Sequence, residues 1–236
     1  MKTTMALKPL AFALAALMAV AAQAGQPPHG GGHGQPPAPT TTSSATTNDG
    51  QSNTGNVVFN DKTKNNASVN DSVGNYSGIV GNNTLSGDNN QGKNDVAITS
   101  GDADQVFATT NSVQYNGGNL VLNRGTTNNA SVNNSGSYGS GIIQSNVEAG
   151  TSNQGSNSTA INSGDGKSGG ATVNAVQDVS GNLTANLSSG HGWKTTPVTN
   201  NASVNNSFNH SSGIVGSNTL SGSNNQGQNN VAITRF

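Results

Sequence analysis

Asn-Asn-Ala-Ser-Val-Asn occurs three times, at Asn65–Asn70, Asn128–Asn133 and Asn200–Asn205. Each copy opens a segment that aligns with the other two without a gap: Asn65–Thr99, Asn128–Asn162 and Asn200–Thr234. Gly-Ile follows in each (Gly78-Ile79, Gly141-Ile142, Gly213-Ile214), with an Asn four residues beyond the Ile at Asn83, Asn146 and Asn218. Then come Gly87, Gly150 and Gly222, the block Asn-Gln-Gly-x-Asn (Asn90–Asn94, Asn153–Asn157, Asn225–Asn229) and a closing Ala-Ile at Ala97-Ile98, Ala160-Ile161 and Ala232-Ile233. Biased composition produces chance Asn and Gly matches. It does not produce gap-free recurrence of Val, Ile, Gln and Ala in order, so the chain is an internal repeat.

The connectors share the pattern. Ser100-Gly101-Asp102 and Ser163-Gly164-Asp165 follow directly on a repeat, and Val113-Gln114 matches Val176-Gln177. Gly118-Asn119-Leu120 matches Gly181-Asn182-Leu183, and a related Gly55–Asn60 precedes the first repeat. The underlying unit is therefore about 63 residues, with a nine-residue insertion in the second connector that reads as a surface loop within Leu187–Thr199. This divides the chain into a strand segment plus first repeat (55–99, core 65–99), a linker (100–127), the second repeat (128–162), a linker (163–199) with its loop (187–199), and the third repeat (200–234).

Within a repeat the local period is two. Ala67 and Val69 share a face, as do Ile79, Asn83 and Leu85, and again Asn94, Val96 and Ile98. Alternation punctuated by Gly and Asn is the strand-and-turn signal. The expected fold is all-β, a three-repeat stacked β-solenoid or cross-β arrangement. In register, equivalent residues lie ~4.8 Å apart and every backbone amide pairs with the layer above or below. Amide side chains suit such stacks because each carries a donor and an acceptor and no charge.

The expected self-assembly ladders are Asn66, Asn129 and Asn201; Val69, Val132 and Val204; Ile79, Ile142 and Ile214; Asn83, Asn146 and Asn218; Asn90, Asn153 and Asn225; Gln91, Gln154 and Gln226; Asn94, Asn157 and Asn229; and Ile98, Ile161 and Ile233. Stacking within one chain and stacking only between chains both fit the repeat. Either way three layers leave two open edges, which recruit further chains.

Composition agrees. Of 236 residues, 38 are Asn, 32 Gly, 29 Ser and 24 Thr, while charged residues make up 8% and hydrophobic ones 30%. So little apolar mass does not build the core of an ordinary enzyme against the entropy of ordering the chain. A formal net charge of −1 differs from the high charge of disordered chains and offers nucleic acid no electrostatic attraction. The repeats lose charge along the chain. Asp71, Asp88, Lys93 and Asp95 lie in the first, Glu148 alone in the second, and none in the third. With no proline in any repeat, this is the composition of cross-β segments.

Met1–Ala24 reads as a secretory signal peptide, with Lys2 and Lys8 before the apolar run Leu10–Ala22 and Ala22-Gln23-Ala24 at the cleavage site. The segment 25–54, rich in Pro, Gly and Thr, reads as a disordered tail. No later stretch is apolar enough to span a membrane.

The motifs Asn200–Ser207, Gly213–Val215 and Ser221–Asn229 resemble the Fap functional amyloids of pseudomonads and related bacteria, with curli subunits as a looser parallel. The resemblance runs over nearly the whole chain. It implies a secreted subunit that polymerises into extracellular fibrils at the cell surface, reached via the periplasm. The implied partners are further copies, sibling fibril subunits and an outer-membrane export pore, and the implied setting is the biofilm matrix. Members often carry a Cys-x-x-Cys pair near the end. This chain has no Cys, and the motifs fit a major and a nucleating subunit alike.

Other signals are weak. Asn66-Ala67-Ser68 and its two equivalents match the glycosylation sequon, as expected by chance in such a composition. Asp102, Asp104 and Asp165 do not recur with the repeat as calcium turns would, and His29 and His33 sit on a Gly-rich tail without other ligands. No nucleophile elbow has a partnered acid and base. Catalytic, cofactor and metal sites are therefore not expected. The competing functional reading is a monomeric β-solenoid adhesin or surface-coat protein.

Overall fold

The computed structural model describes residues 40–164, 168–191 and 194–235. The signal peptide, most of the N-terminal segment, Asp165, Trp193 and Phe236 lie outside them. Five strands make the first layer: β1 (Thr42–Thr54), β2 (Val57–Asp61), β3 (Lys64–Asn70), β4 (Ser77–Asp88) and β5 (Gln91–Ser100). The second layer repeats them as β6 (Gln105–Gly117), β7 (Leu120–Arg124), β8 (Thr127–Asn133), β9 (Ser140–Thr151) and β10 (Gln154–Ser163). The third comprises β11 (Ser168–Ser180), β12 (Leu183–Leu187), β15 (Thr199–Asn205), β16 (Ser212–Ser223) and β17 (Gln226–Arg235). The hairpin β13 (Ser189–His191) and β14 (Lys194–Thr196) interrupts this last layer.

Every strand of the second layer is central in a parallel three-stranded sheet, flanked by its equivalents from the first and third layers. Parallel neighbours need a long crossover; here it is the rest of the coil. The first two layers are offset by 63 residues, as in Thr42 opposite Gln105. The third keeps that offset through β12 and shifts to 72 from Thr199, which pairs with Thr127. The offset thus grows by nine between β12 and β15, and in that segment, read from the sequence as a loop, the chain forms the β13–β14 hairpin.

Three segments differ from the sequence reading. Thr42–Thr54, within the stretch read as a tail, is a full strand paired with β6. The segments read as linkers supply β6, β7, β11 and β12. These strands lack an amphipathic pattern because the sheet is held by identity between layers. Ala45-Thr46-Thr47-Asn48 lies over Ala108-Thr109-Thr110-Asn111, which lies over Ala171-Thr172-Val173-Asn174.

The chain folds back on itself within each layer, so four sheets pack face to face in the order β1/β6/β11, β5/β10/β17, β4/β9/β16, β3/β8/β15. Their apolar cores are small. Ala67, Val69, Ala130 and Val132 meet Val147 and Ala149 between the third and fourth sheets, and Ala97, Ala108 and Ala160 cluster between the first and second. β9 and β10 are buried on both faces almost throughout. Polar side chains, Asn, Gln, Ser and Thr above all, fill most of that interior.

Turns need unusual backbone. The β3–β4 corner places alternate residues in the left-handed region in every layer, at Asp71, Val73 and Asn75, then Asn134, Gly136 and Tyr138, then Asn206, Phe208 and His210. Gly87, Gly150 and Gly222 stack with φ of 104°, 116° and 110°. A Cβ on Gly150 would lie 2.0 Å from the Gly222 carbonyl oxygen, so this column accepts no side chain. Among the described residues no helix is long and apolar enough to cross a membrane.

Candidate functional site: the stacked amide ladders

The candidate site is the set of columns that run through the three layers. Gln154 Nε2 donates to Gln91 Oε1 at 2.8 Å, and Gln226 Nε2 donates to Gln154 Oε1 at 3.3 Å. Asn157 Nδ2 reaches Asn94 Oδ1 at 3.0 Å, and Asn229 Nδ2 reaches Asn157 Oδ1 at 2.8 Å. Asn146 and Asn218 repeat the pattern over Asn83 at 2.8 and 2.9 Å. These last two ladders face each other from adjacent sheets and cross-link: Asn94 donates to Asn83 at 2.8 Å, Asn157 to Asn146 at 2.9 Å and Asn229 to Asn218 at 3.0 Å. Six amides thus form one two-column network, with Asn146 fully enclosed at its centre.

The remaining columns divide by environment. Asn90, Asn153 and Asn225 hold the β4–β5 corner; Asn153 Nδ2 bonds the carbonyls of Ala149 and Gly222, each at 3.2 Å. Val69 and Val132 belong to the apolar core. Ile142 is buried in the middle layer, whereas Ile79 above it is exposed, and Ile98 and Ile233 are exposed on either side of half-buried Ile161. Asn66, Asn129 and Asn201 form a regular ladder at 2.8 Å per step, but on the solvent face.

The inward-facing row of that strand is Asn65, Asn128 and Asn200, linked at 2.9 and 2.8 Å. Parity with Ala67 and Val69 would have found it. Further ladders lie outside the repeats as first aligned. Gln51, Gln114 and Gln177 are joined at 2.8 and 2.7 Å, Asn48, Asn111 and Asn174 at 2.7 and 2.9 Å, and Asn60, Asn123 and Asn186 at 3.1 and 3.0 Å. Gln114 Nε2 also bonds the carbonyls of Gln91 and Gly155, tying the first sheet to the second.

Charges interrupt this interior at two places. In the first layer, buried Lys93 places Nζ 2.8 Å from the Asp49 carbonyl, 3.4 Å from the Asp49 carboxylate and 3.2 Å from the Asp95 carboxylate. Burial raises the pKa of Asp95, and the nearby ammonium of Lys93 opposes the rise. In the second layer Glu148 is fully buried between Leu85 and Leu220, with no cation beside it among the described residues. Neither of its oxygens makes a hydrogen bond of ordinary geometry. Burial pushes its carboxyl up to about 8, and the backbone N–H groups of Gly155 and Gln91 only moderate the rise.

Comparison with known proteins bears on these columns. Residues 44–235 match the model of the functional amyloid protein FapB/FapC family. The functional amyloid subunit FapC of Pseudomonas aeruginosa is 39% identical over 192 residues, a match covering 79% of this chain and 56% of that protein. The chain therefore spans little more than half the length of this relative. No solved structure matches.

Proposed function

Because the chain belongs to the FapB/FapC family of functional amyloid proteins, we propose that it is a secreted structural subunit whose activity is its own polymerisation into extracellular fibrils of the biofilm matrix. One observation carries this reading. The outer layers expose at their open faces what the middle layer buries. Ile79 is 57% exposed where Ile142 is 5%, and Val204 is 49% exposed where Val132 is 1%. The same faces end five parallel columns of strands in unpaired backbone groups and amides, the template that adds another chain. A third layer of one copy set on the first layer of the next continues each column, with Gln226 over Gln91 and Asn229 over Asn94. It also sets the chargeless third repeat against Asp71, Asp88, Lys93 and Asp95, so no like charges of the repeats meet at the junction. Passage through the periplasm, an outer-membrane export pore and sibling subunits complete the proposal as the family's setting.

The chain lacking residues 1–24 should polymerise unaided, giving amyloid-dye fluorescence and fibre reflections near ~4.8 Å and ~10 Å. A persistent monomer without that order would exclude the fibril and leave a monomeric solenoid. Changing Gln91, Gln154 and Gln226 together to Glu should slow fibre growth severely at neutral pH, since three adjacent buried carboxylates replace a bonded ladder. Unchanged kinetics would remove that column from the assembly core.

A further inference from the structure

Most of the apolar exposure at the open faces disappears once chains stack. Phe107 and Tyr138 of the middle layer keep some of theirs, and one continuous surface keeps it along a whole sheet. On the sheet β2/β7/β12 the outward residues of successive layers are Val57, Leu120 and Leu183, and beside them Phe59 and Leu122. Leu120 belongs to the middle layer, with Val57 and Leu183 already in place on either side, and it is still 44% exposed; Phe59 is 61% exposed. The neighbouring outward row on β8 is polar: Asn129, Ser131 and Asn133. Arg124 and Asp61, 3.5 Å apart, give the apolar columns a charged rim at the far end of the same strands.

We infer that this face is the lateral contact between two fibrils of this chain, stripe against stripe. The inference rests on the stacking proposed above. The strands are parallel and in register, so stacked copies extend both apolar columns along the fibril axis. Residues 25–41 carry no apolar side chain larger than proline. On one copy the patch is on the order of a few hundred Å², less than the roughly 800 Å² per partner of a stable interface. Single chains therefore do not pair through it. Along a fibril the contact repeats with every copy, and weak unit contacts add into a strong one. Sheets that meet face to face in this way pack at the spacing of a sandwich core.

The test uses the full mature chain carrying Phe59→Ser with Leu120→Ser, and separately Val57→Thr with Leu120→Thr, which puts β-branched, strand-favouring side chains at both positions. Dye fluorescence follows stacking, while electron microscopy and turbidity follow bundling. Wild-type chain is expected to form laterally associated bundles. Each variant is expected to give fibres on the wild-type time course but as single filaments with low turbidity. Variant fibres bundled like wild type overturn the lateral contact alone, as do wild-type fibres that stay single. If neither variant assembles, these residues act inside the stack, and the inference fails. A wild-type chain that forms no fibres at all overturns the stacking reading and this one with it.

Discussion

Replacing Glu148 with leucine is expected to stabilise the fold by about 3 kcal/mol at neutral pH and to remove most of its dependence on pH. The carboxyl titrates at about 8 in the folded chain, against 4.5 for the free group. A group whose pKa is raised by folding binds its proton more tightly in the folded state. Its contribution is therefore fully present below pH 4.5 and is lost as pH climbs from there to about 8. At ~1.4 kcal/mol per pKa unit the whole loss approaches about 5 kcal/mol at alkaline pH, and about 3 kcal/mol of it has occurred by neutrality. Leucine completes the column of Leu85 and Leu220 and removes the ionisable group. The burial-driven rise at Asp95 has the same sign and leaves a weaker slope in the variant.

Two measurements at pH 4, 7 and 9 check this: the denaturant midpoint of the folded chain and the concentration of soluble chain left at the end of fibre growth. Wild type should dissolve progressively as pH rises, and Glu148→Leu should not. Glu148→Gln should also lose the slope but gain less stability, because it keeps a buried polar group without a bonded partner. A wild-type stability that is flat between pH 5 and 8 would show that the carboxylate reaches water.

The absence of Glu148 from the expected ladder residues shows what a repeat-based reading retains and discards. Aligning the segments established the register, the offset of about 63 residues and the insertion, because stacking in register demands the same residue type at the same height. It also found Gln91, Gln154 and Gln226, whose hydrogen bonds follow from identity alone. What it discarded were positions where the middle layer departs from its neighbours, such as Glu148 and Gln144, and these are among the most deeply buried side chains. Their surroundings are set by which sheets face each other, a long-range outcome of the chain folding back within a layer. The strand β1 was hidden for a related reason. Its Thr and Asn residues bear no apolar alternation and acquire partners only when β6 lies beneath them. Asn66 and Asn65 illustrate the finest limit. Both recur in every layer, and only the side of the strand on which Ala67 and Val69 lie decides which ladder is interior.

Among the interior ladders, Asn146→Asp should be the most damaging change of a single functional group, abolishing assembly at neutral pH. The substitution preserves shape, so packing is not at issue. What changes is that the Nδ2 group, which donates to Asn83 Oδ1 at 2.8 Å, the Lys93 carbonyl at 2.7 Å and Asn94 Oδ1 at 3.1 Å, becomes an oxygen facing three acceptors. The donors from Asn157 and Asn218 at the other oxygen remain, each at 2.9 Å, but two bonds do not offset a buried charge turned toward three oxygens. An uncompensated buried charge costs several kcal/mol, on the order of 3–5, a large share of the stability of any domain. Burial among acceptors raises the pKa of the new carboxyl, so its penalty is present at neutral pH and relieved as pH falls through that raised value. Protonation restores one donor, and fibres should reappear in acid. Asn129→Asp supplies the comparison: same residue type, same layer, same ladder geometry, but on the solvent face. It should change growth little at physiological salt, where an exposed charge stays hydrated and screened. Dye-monitored growth of both variants at pH 4 and 7 decides the matter. Equal effects at the two positions would mean that ladder membership alone, and not burial, carries the assembly. An Asn146→Asp chain that fails to recover in acid would instead point to a defect of packing.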